Sequence, residues 1–230
     1  MNLTDFKNDW RDEPDYHKNI HELFIERVNT NEILKAHRDY VEQNIWGFGE
    51  RSFWWLWKLI CEELPESPTM LEVGIFRGAT ISLWKLLRPD AKCFGVSPLD
   101  STDGHWESDY EADVRKIHDD FELNQPIIFK GLSGDKEIVW AAQERNYDLI
   151  YLDGGHTYEV IANDFLNYAP LVKQGGYLVI DDCNNEMSMP FGFFQGIDDV
   201  TNAKIKYMGS TDEGWEFIFS VVHISVYKRV

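Results

Sequence analysis

The chain has 230 residues, 43% of them hydrophobic, and sets 22 Lys and Arg against 40 Asp and Glu for a formal charge of -18. That apolar content excludes a wholly disordered chain, and that charge excludes a phosphate-tracking surface for nucleic acid, which needs clustered cations. The length fits one domain with an appended segment.

The opening MNLTDFKNDWRDEPDY is polar and acidic, unlike a signal peptide. The longest apolar runs are too short to span a bilayer. Cys61, Cys93 and Cys183 lie far apart and read as free thiols of a reducing compartment. The expectation is a cytoplasmic protein with no membrane or nucleic-acid partner.

From Asp15 to Gln43, apolar residues such as Ile20, Phe24, Val28, Leu34 and Val41 recur at helical spacing, with Asn29-Thr30-Asn31 as break and cap. Arg51 to Leu64 reads as a helix whose aromatic face of Phe53, Trp54, Trp55 and Trp57 suits a core or subunit contact, and Pro65 to Pro68 end it. Residues 1–65 therefore read as a helical lid or oligomerisation segment, with a homo-oligomer expected, and 66–230 as the main domain.

From Met70 onward strands and helices alternate. The predicted strands are Met70–Val73, Lys92–Ser97, Ile127–Lys130, Tyr147–Leu152 and Tyr177–Ile180. The helices between them are Ala79–Leu87, Tyr110–Phe121, Lys136–Glu144 and Val160–Val172, the last ended by Lys173-Gln174-Gly175-Gly176. In the tail, Ala203–Met208 and Trp215–Tyr227 are β-rich. The fold class is α/β: a Rossmann-like, doubly wound, mostly parallel seven-stranded sheet with an N-terminal helical extension and an antiparallel C-terminal edge.

In such a sheet, ligands sit at the carboxyl ends of the strands. The first strand ends in Glu72-Val73-Gly74, with Gly78 four residues on. The pattern is neither the G-x-G-x-x-G of dinucleotide binders nor a P-loop. An anion such as Glu72 would repel a phosphate but suits an ammonium or sulfonium, which points to S-adenosylmethionine.

Asp153 ends the fourth strand, and Gly154-Gly155-His156 follow; Asp181 and Asp182 end the fifth. Neighbouring strand ends lie about 5 Å apart, so three carboxylates converge on one small volume. Unpaired, they repel and one takes up a proton; a hard divalent cation resolves the conflict. The alternative is capping and solvated loop ends. His156 could be ligand, base or plain loop residue. Magnesium prefers oxygen and an ordinary imidazole suits proton removal at neutral pH, so His156 is assigned as general base.

LEVGIFRGAT at 71–80, KGLSGD at 130–135, DLIYLDGGHTYE at 148–159 and PLVKQGGYLVIDDC at 170–183 resemble the class I methyltransferases. Within them the chain resembles the metal-dependent branch of macrocin O-methyltransferase and the cephalosporin hydroxylase-like proteins. The resemblance makes 66–230 the methyltransferase domain and implies a methyl transfer from S-adenosylmethionine to a hydroxyl of a small molecule, a sugar or natural product. It implies cofactor contacts at Glu72, Gly74, Gly78, Thr80 and Asp153, and Mg2+ or another divalent cation on Asp153, Asp181 and Asp182. It also implies catalytic roles for His156 and Asp153. Ser133, or Asp135, is expected near the adenine. The family usually carries an acid where this chain has Ser97, so either Asp100 reaches back to the ribose or Ser97 makes a weaker contact. Tyr158 is an expected substrate contact, and Asp164 a cap or orienting acid.

Two other readings stand beside this one. A non-methylating, hydroxylase-like relative using ferrous iron would want two histidines and a carboxylate, and only His156 is well placed. A non-catalytic S-adenosylmethionine-binding or assembly module would use the aromatic helix. Specificity is expected in the front helices, the loop Asp100–Glu107 and the segment Asn184–Gly196, read as a substrate-covering lid.

Overall fold

The computed structural model describes residues 2–6, 14–45, 49–100, 109–182 and 214–230. Short apolar runs separated by amphipathic helices give a sheet buried on both faces. Its strands are β1 (Thr69–Val73), β2 (Lys92–Ser97), β3 (Ile127–Lys130), β4 (Tyr147–Leu152), β5 (Val172–Ile180), β6 (Trp215–Val221) and β7 (Ile224–Arg229). Their order is β3-β2-β1-β4-β5-β7-β6. The first five run parallel; β7 is antiparallel to β5, and β6 to β7. The strand order reverses between β1 and β4, the crevice where such sheets bind ligands.

The helices are α1 (Pro14–Thr30), α2 (Glu32–Tyr40), α3 (Phe53–Glu63), α4 (Ala79–Leu87), α5 (Tyr110–Asp120), α6 (Lys136–Gln143) and α7 (Tyr158–Tyr168). Period-two alternation splits β1 between two cores: Met70 packs on one face, and Leu71 and Val73 on the other. The first core includes Phe24, Val28 and Leu34 from the N-terminal helices together with Ile218 and Phe219 of β6. Phe6, Phe24 and Phe219 meet with ring centroids 5.1 to 6.4 Å apart. Each such buried side chain contributes roughly 1.5–3 kcal/mol. The N-terminal helices are thus built into the sheet's core. Asn31 separates α1 from α2, its side chain accepting from the Leu34 N–H at 3.0 Å.

Buried hydrogen bonds tie these helices to the turn after β1. Trp54 Nε1 donates to His37 Nδ1 at 2.9 Å, His37 Nε2 lies 3.0 Å from Ser82 Oγ, and Ser82 Oγ donates to the Gly78 carbonyl at 2.6 Å. Indole can only donate, so Nδ1 accepts and Nε2 carries the imidazole hydrogen. Arg77 bridges Asp113 on α5 at 2.5 Å and the Ile45 carbonyl. Phe53, Trp54 and Trp57 are core residues and Trp55 is half-buried, so this aromatic face packs inward.

The β-rich Trp215–Tyr227 falls into two strands, folded back at Val222, which adopts φ 52. Two expectations need correction. α7 begins at Tyr158, because Thr157 caps it, and gives way at Ala169–Leu171 to a 3-10 turn containing Pro170. Lys173-Gln174-Gly175-Gly176 therefore lie inside β5, with Gly175 at φ 79 beside a register shift. Ala203–Met208, Asn184–Gly196, Cys183 and residues 101–107 fall outside the described residues.

Candidate active site

The sheet ladder continues past the strand ends and sets the site's floor. Gly74 N donates to Val96 O at 2.9 Å, Asp153 N to Val73 O at 2.8 Å, and Asp181 N to Leu152 O at 3.0 Å. Asp153 is thereby pinned beside the β1 turn and Asp181 beside Asp153. Gly74 adopts φ 103, and a Cβ there would lie 1.9 Å from the Asp153 carbonyl oxygen. No other residue fits. Gly78, at φ 87, caps α4 and presents the helix N-terminus on the same side of the sheet. Thr80, half-buried, lies in the first turn of that helix.

Asp153, His156, Asp164, Asp181 and Asp182 line a cavity of about 20 Å3, room for one water-sized group or ion. His156 Nε2 lies 3.1 Å from Asp182 Oδ2. Ligand atoms of Asp153, His156 and Asp182 all fall within 4.8 Å of one another, as do those of Asp181, Asp182 and His223. Asp182 adopts φ 47, an unusual backbone for a non-glycine residue and a form of strain that clusters at functional sites.

The electrostatics are those of crowded acids. Burial, then Asp181, Asp182 and Glu72, push the Asp153 carboxyl well above the usual range, and it shares a hydrogen bond with Asp181. Burial alone would raise Asp181, but the adjacent His223, its hydrogen bond and the Tyr151 hydroxyl hold Asp181 below the usual range. His223 is pushed up to about 10: burial would lower it, and Asp181 and Asp182 outweigh burial. This crowding favours the protonated form of Asp153 and the charged form of His223. The carboxyl groups of Asp153, Asp181 and Asp182 around an ion-sized cavity fit a divalent cation that would displace the proton.

Glu72 is 4% exposed. It accepts a hydrogen bond from the Ile81 backbone, and burial pushes it up to about 8. Its Oε2 is buried with no hydrogen-bond partner among the described residues. A buried carboxylate oxygen lacking a donor beside a helix N-terminus fits a positively charged ligand group.

The expected residues do not all share this geometry. Ser97 is 5% exposed; its hydroxyl donates to Ile75 O at 2.7 Å and accepts from Leu99 N at 3.1 Å. That commits it to bracing the turn after β2. Asp100 is exposed just beyond Leu99, which adopts φ 50. Ser133 is joined to α7 twice: Tyr168 donates to its carbonyl at 2.7 Å, and its side chain bonds Asp164. Asp135 Oδ2 accepts the Leu132 N–H at 3.0 Å within the loop after β3. Tyr158 is half-buried at the start of α7. Asp164, 2% exposed, packs under the glycine loop; a Cβ on Gly154 would meet its Oδ2 at 2.9 Å. A second cavity of about 420 Å3, lined by Leu99, Val114, Ile128 and Lys130 among others, opens between α5 and β3. None of the expected cofactor contacts lines it.

Sequence reasoning missed His223 and Tyr151, both bonded to Asp181 at 2.7 Å. Leu152 lines the acid cavity, and Tyr151, alternating with it on β4, reaches Asp181 from the other face of the sheet. His223 lies 42 residues beyond Asp181 and reaches it only through the hairpin register; no spacing rule connects them.

Residues 71–183 match a family model described as a methyltransferase domain. Over 118 residues the chain is 28% identical to the uncharacterized protein R132 of Acanthamoeba polyphaga mimivirus, a match over 50% of this chain and 51% of that one. The chain thus spans about half the length of this curated relative. Among solved structures, the O-methyltransferase TomG from Streptomyces achromogenes, in complex with SAM, is 14% identical with a TM-score of 0.60, over 88% of this chain and 92% of that one. MycE methyltransferase of the mycinamycin biosynthetic pathway, in complex with Mg, SAH and mycinamycin VI, is 15% identical with a TM-score of 0.59, over 88% and 55%. Likeness at this identity establishes the shared fold.

Proposed function

We propose, from the match of residues 71–183 to a methyltransferase-domain model, that the chain is a class I S-adenosylmethionine-dependent, divalent-metal-dependent O-methyltransferase acting on a hydroxyl of a small molecule, a sugar or natural product. The observation that carries the reading is the meeting of Asp153, His156, Asp181 and Asp182 around one cavity, directly against the Gly74 turn. The co-complexes of TomG and MycE support it at the level of the shared fold.

S-adenosylmethionine supplies a methyl group on a cationic sulfur. Glu72 balances that charge with its unbonded oxygen, and the Gly74–Gly78 turn lets the ligand approach the backbone closely. Asp153, Asp181 and Asp182 would hold the divalent cation, whose chemistry there is Lewis-acid activation of the substrate hydroxyl. His156, with half of its side chain exposed, is open to substrate and takes the hydroxyl proton at Nδ1, the nitrogen left bare when Nε2 donates to Asp182. Asp182, 3.1 Å from Nε2, fixes that tautomer, orients the ring and stabilises the imidazolium that forms. Buried Asp164 keeps the Gly154-Gly155 loop, and His156 with it, at a fixed height above the sheet. Positioning and charge stabilisation carry most of the acceleration.

The test is transfer of radiolabelled methyl from S-adenosylmethionine to a panel of sugars, nucleotide sugars and phenolic and macrolide alcohols, with Mg2+ or with EDTA. The expected result is transfer to oxygen that EDTA abolishes and added Mg2+ restores. Transfer indifferent to EDTA contradicts metal dependence, and transfer confined to nitrogen acceptors contradicts the acceptor class.

A further inference from the structure

The acids after β5 are held from behind by a histidine that belongs to no motif. His223, 5% exposed in the turn between β6 and β7, puts Nδ1 2.7 Å from Asp181 Oδ1 and 3.3 Å from Asp182 Oδ1. A ring nitrogen facing two carboxylates can satisfy them only by donating, so Nδ1 carries its hydrogen; a metal ligand would present that nitrogen bare. The other Asp181 oxygen accepts from Tyr151 at 2.7 Å, and Asp182 N donates to Asp181 Oδ1 at 2.9 Å. These donors leave Asp181 little rotational freedom.

His223 is itself fixed by the N-terminal helices. Its ring meets Phe53 of α3 edge-on, with centroids 5.0 Å apart and planes at 79°. His21 of α1, 2.9 Å from Ser52 Oγ, lies close enough to interact with it electrostatically.

We propose that His223 is a positioning residue of the acidic centre, fixing the carboxylates of Asp181 and Asp182, and that the N-terminal helices enter the site by fixing His223. This rests on the reading of those acids as cation ligands. Outer-shell partners of this kind commonly change metal affinity by about 10- to 100-fold.

The experiment is an EPR titration of Mn2+ into the full chain, with S-adenosylhomocysteine affinity measured separately without metal. His223→Phe keeps a ring against Phe53 and deletes the N–H; His223→Asn returns a donor. The expected result is Mn2+ affinity lowered ~10- to 100-fold in His223→Phe, largely recovered in His223→Asn, with S-adenosylhomocysteine affinity unchanged in both. Wild-type affinity in His223→Phe, or equal losses in the two variants, overturns the proposal. Wild-type protein that takes up no Mn2+ overturns the metal reading beneath it. Should His223→Phe not fold, 15N-histidine NMR of the wild type with Mg2+ decides, using His223→Asn for assignment. A retained Nδ1–H supports positioning, and its loss makes His223 a ligand and overturns it.

Discussion

At the scale of single residues, the proposed function gives Glu72 and His156 separable parts of the chemistry. The folded-state value of Glu72, about 8, lies above that of an unfolded glutamate. The native state therefore holds a proton that the unfolded chain has lost, and cofactor-free protein loses stability as pH rises from about 4.5 toward 8. Glu72→Gln should raise the melting temperature of cofactor-free protein above wild type at pH 9 in differential scanning fluorimetry. The same variant should bind S-adenosylmethionine at least ~10-fold more weakly, the scale of a lost charge-assisted contact; undiminished affinity would separate Glu72 from the cationic end of the ligand. His156→Gln should lower kcat by ~100- to 10,000-fold, leaving S-adenosylmethionine affinity unchanged. Asp153, His156, Asp181 and Asp182 were legible because each follows a strand whose end the apolar run marks. The commitment of Ser97 to Ile75 and Leu99 was not legible, since it depends on how tightly the turn after β2 closes.

At the scale of elements, the turn after β1 depends on contacts from both sides. Gly74→Ala drives a methyl into the Asp153 backbone at a positive φ. It should cost at least ~3 kcal/mol, the sum of backbone strain and displacement. Gly134→Ala is the control: a Cβ there meets nothing within 4 Å, and it should leave the denaturation midpoint nearly unchanged. From the other side, burial pushes His37 down to about 3, so the folded state excludes a proton that the unfolded chain binds below about 6.5. Its stabilisation is full above 6.5 and is lost as pH falls toward 3. His37→Gln should therefore flatten acid unfolding, followed by tryptophan fluorescence between pH 6.5 and 3. The spans of β2, β3, β4 and α4 matched their sequence patterns residue for residue, each being a clean apolar run between polar breakers. The start of β5 did not, because Pro170 ends the helical backbone earlier than the apolar periodicity does.

At the scale of the molecule, the sheet order brings residues from β1, β4, β5 and the β6–β7 turn to one edge, and the N-terminal helices lie behind them in the same core. The alternation of elements made the parallel sheet legible. The integration of the N-terminal helices was not, because it rests on long-range contacts such as Phe24 with Phe219. A charge of -18 makes crowding of carboxylates general, yet the acids that matter are those the fold forces together. The most direct test is calorimetry of S-adenosylmethionine and then Mg2+ binding to wild type and to Asp153→Asn. Wild type is expected to bind both, and Asp153→Asn, folded, no longer to bind Mg2+. Wild-type protein that binds no S-adenosylmethionine, or an Asp153→Asn protein that binds Mg2+ as wild type does, would contradict the proposed function.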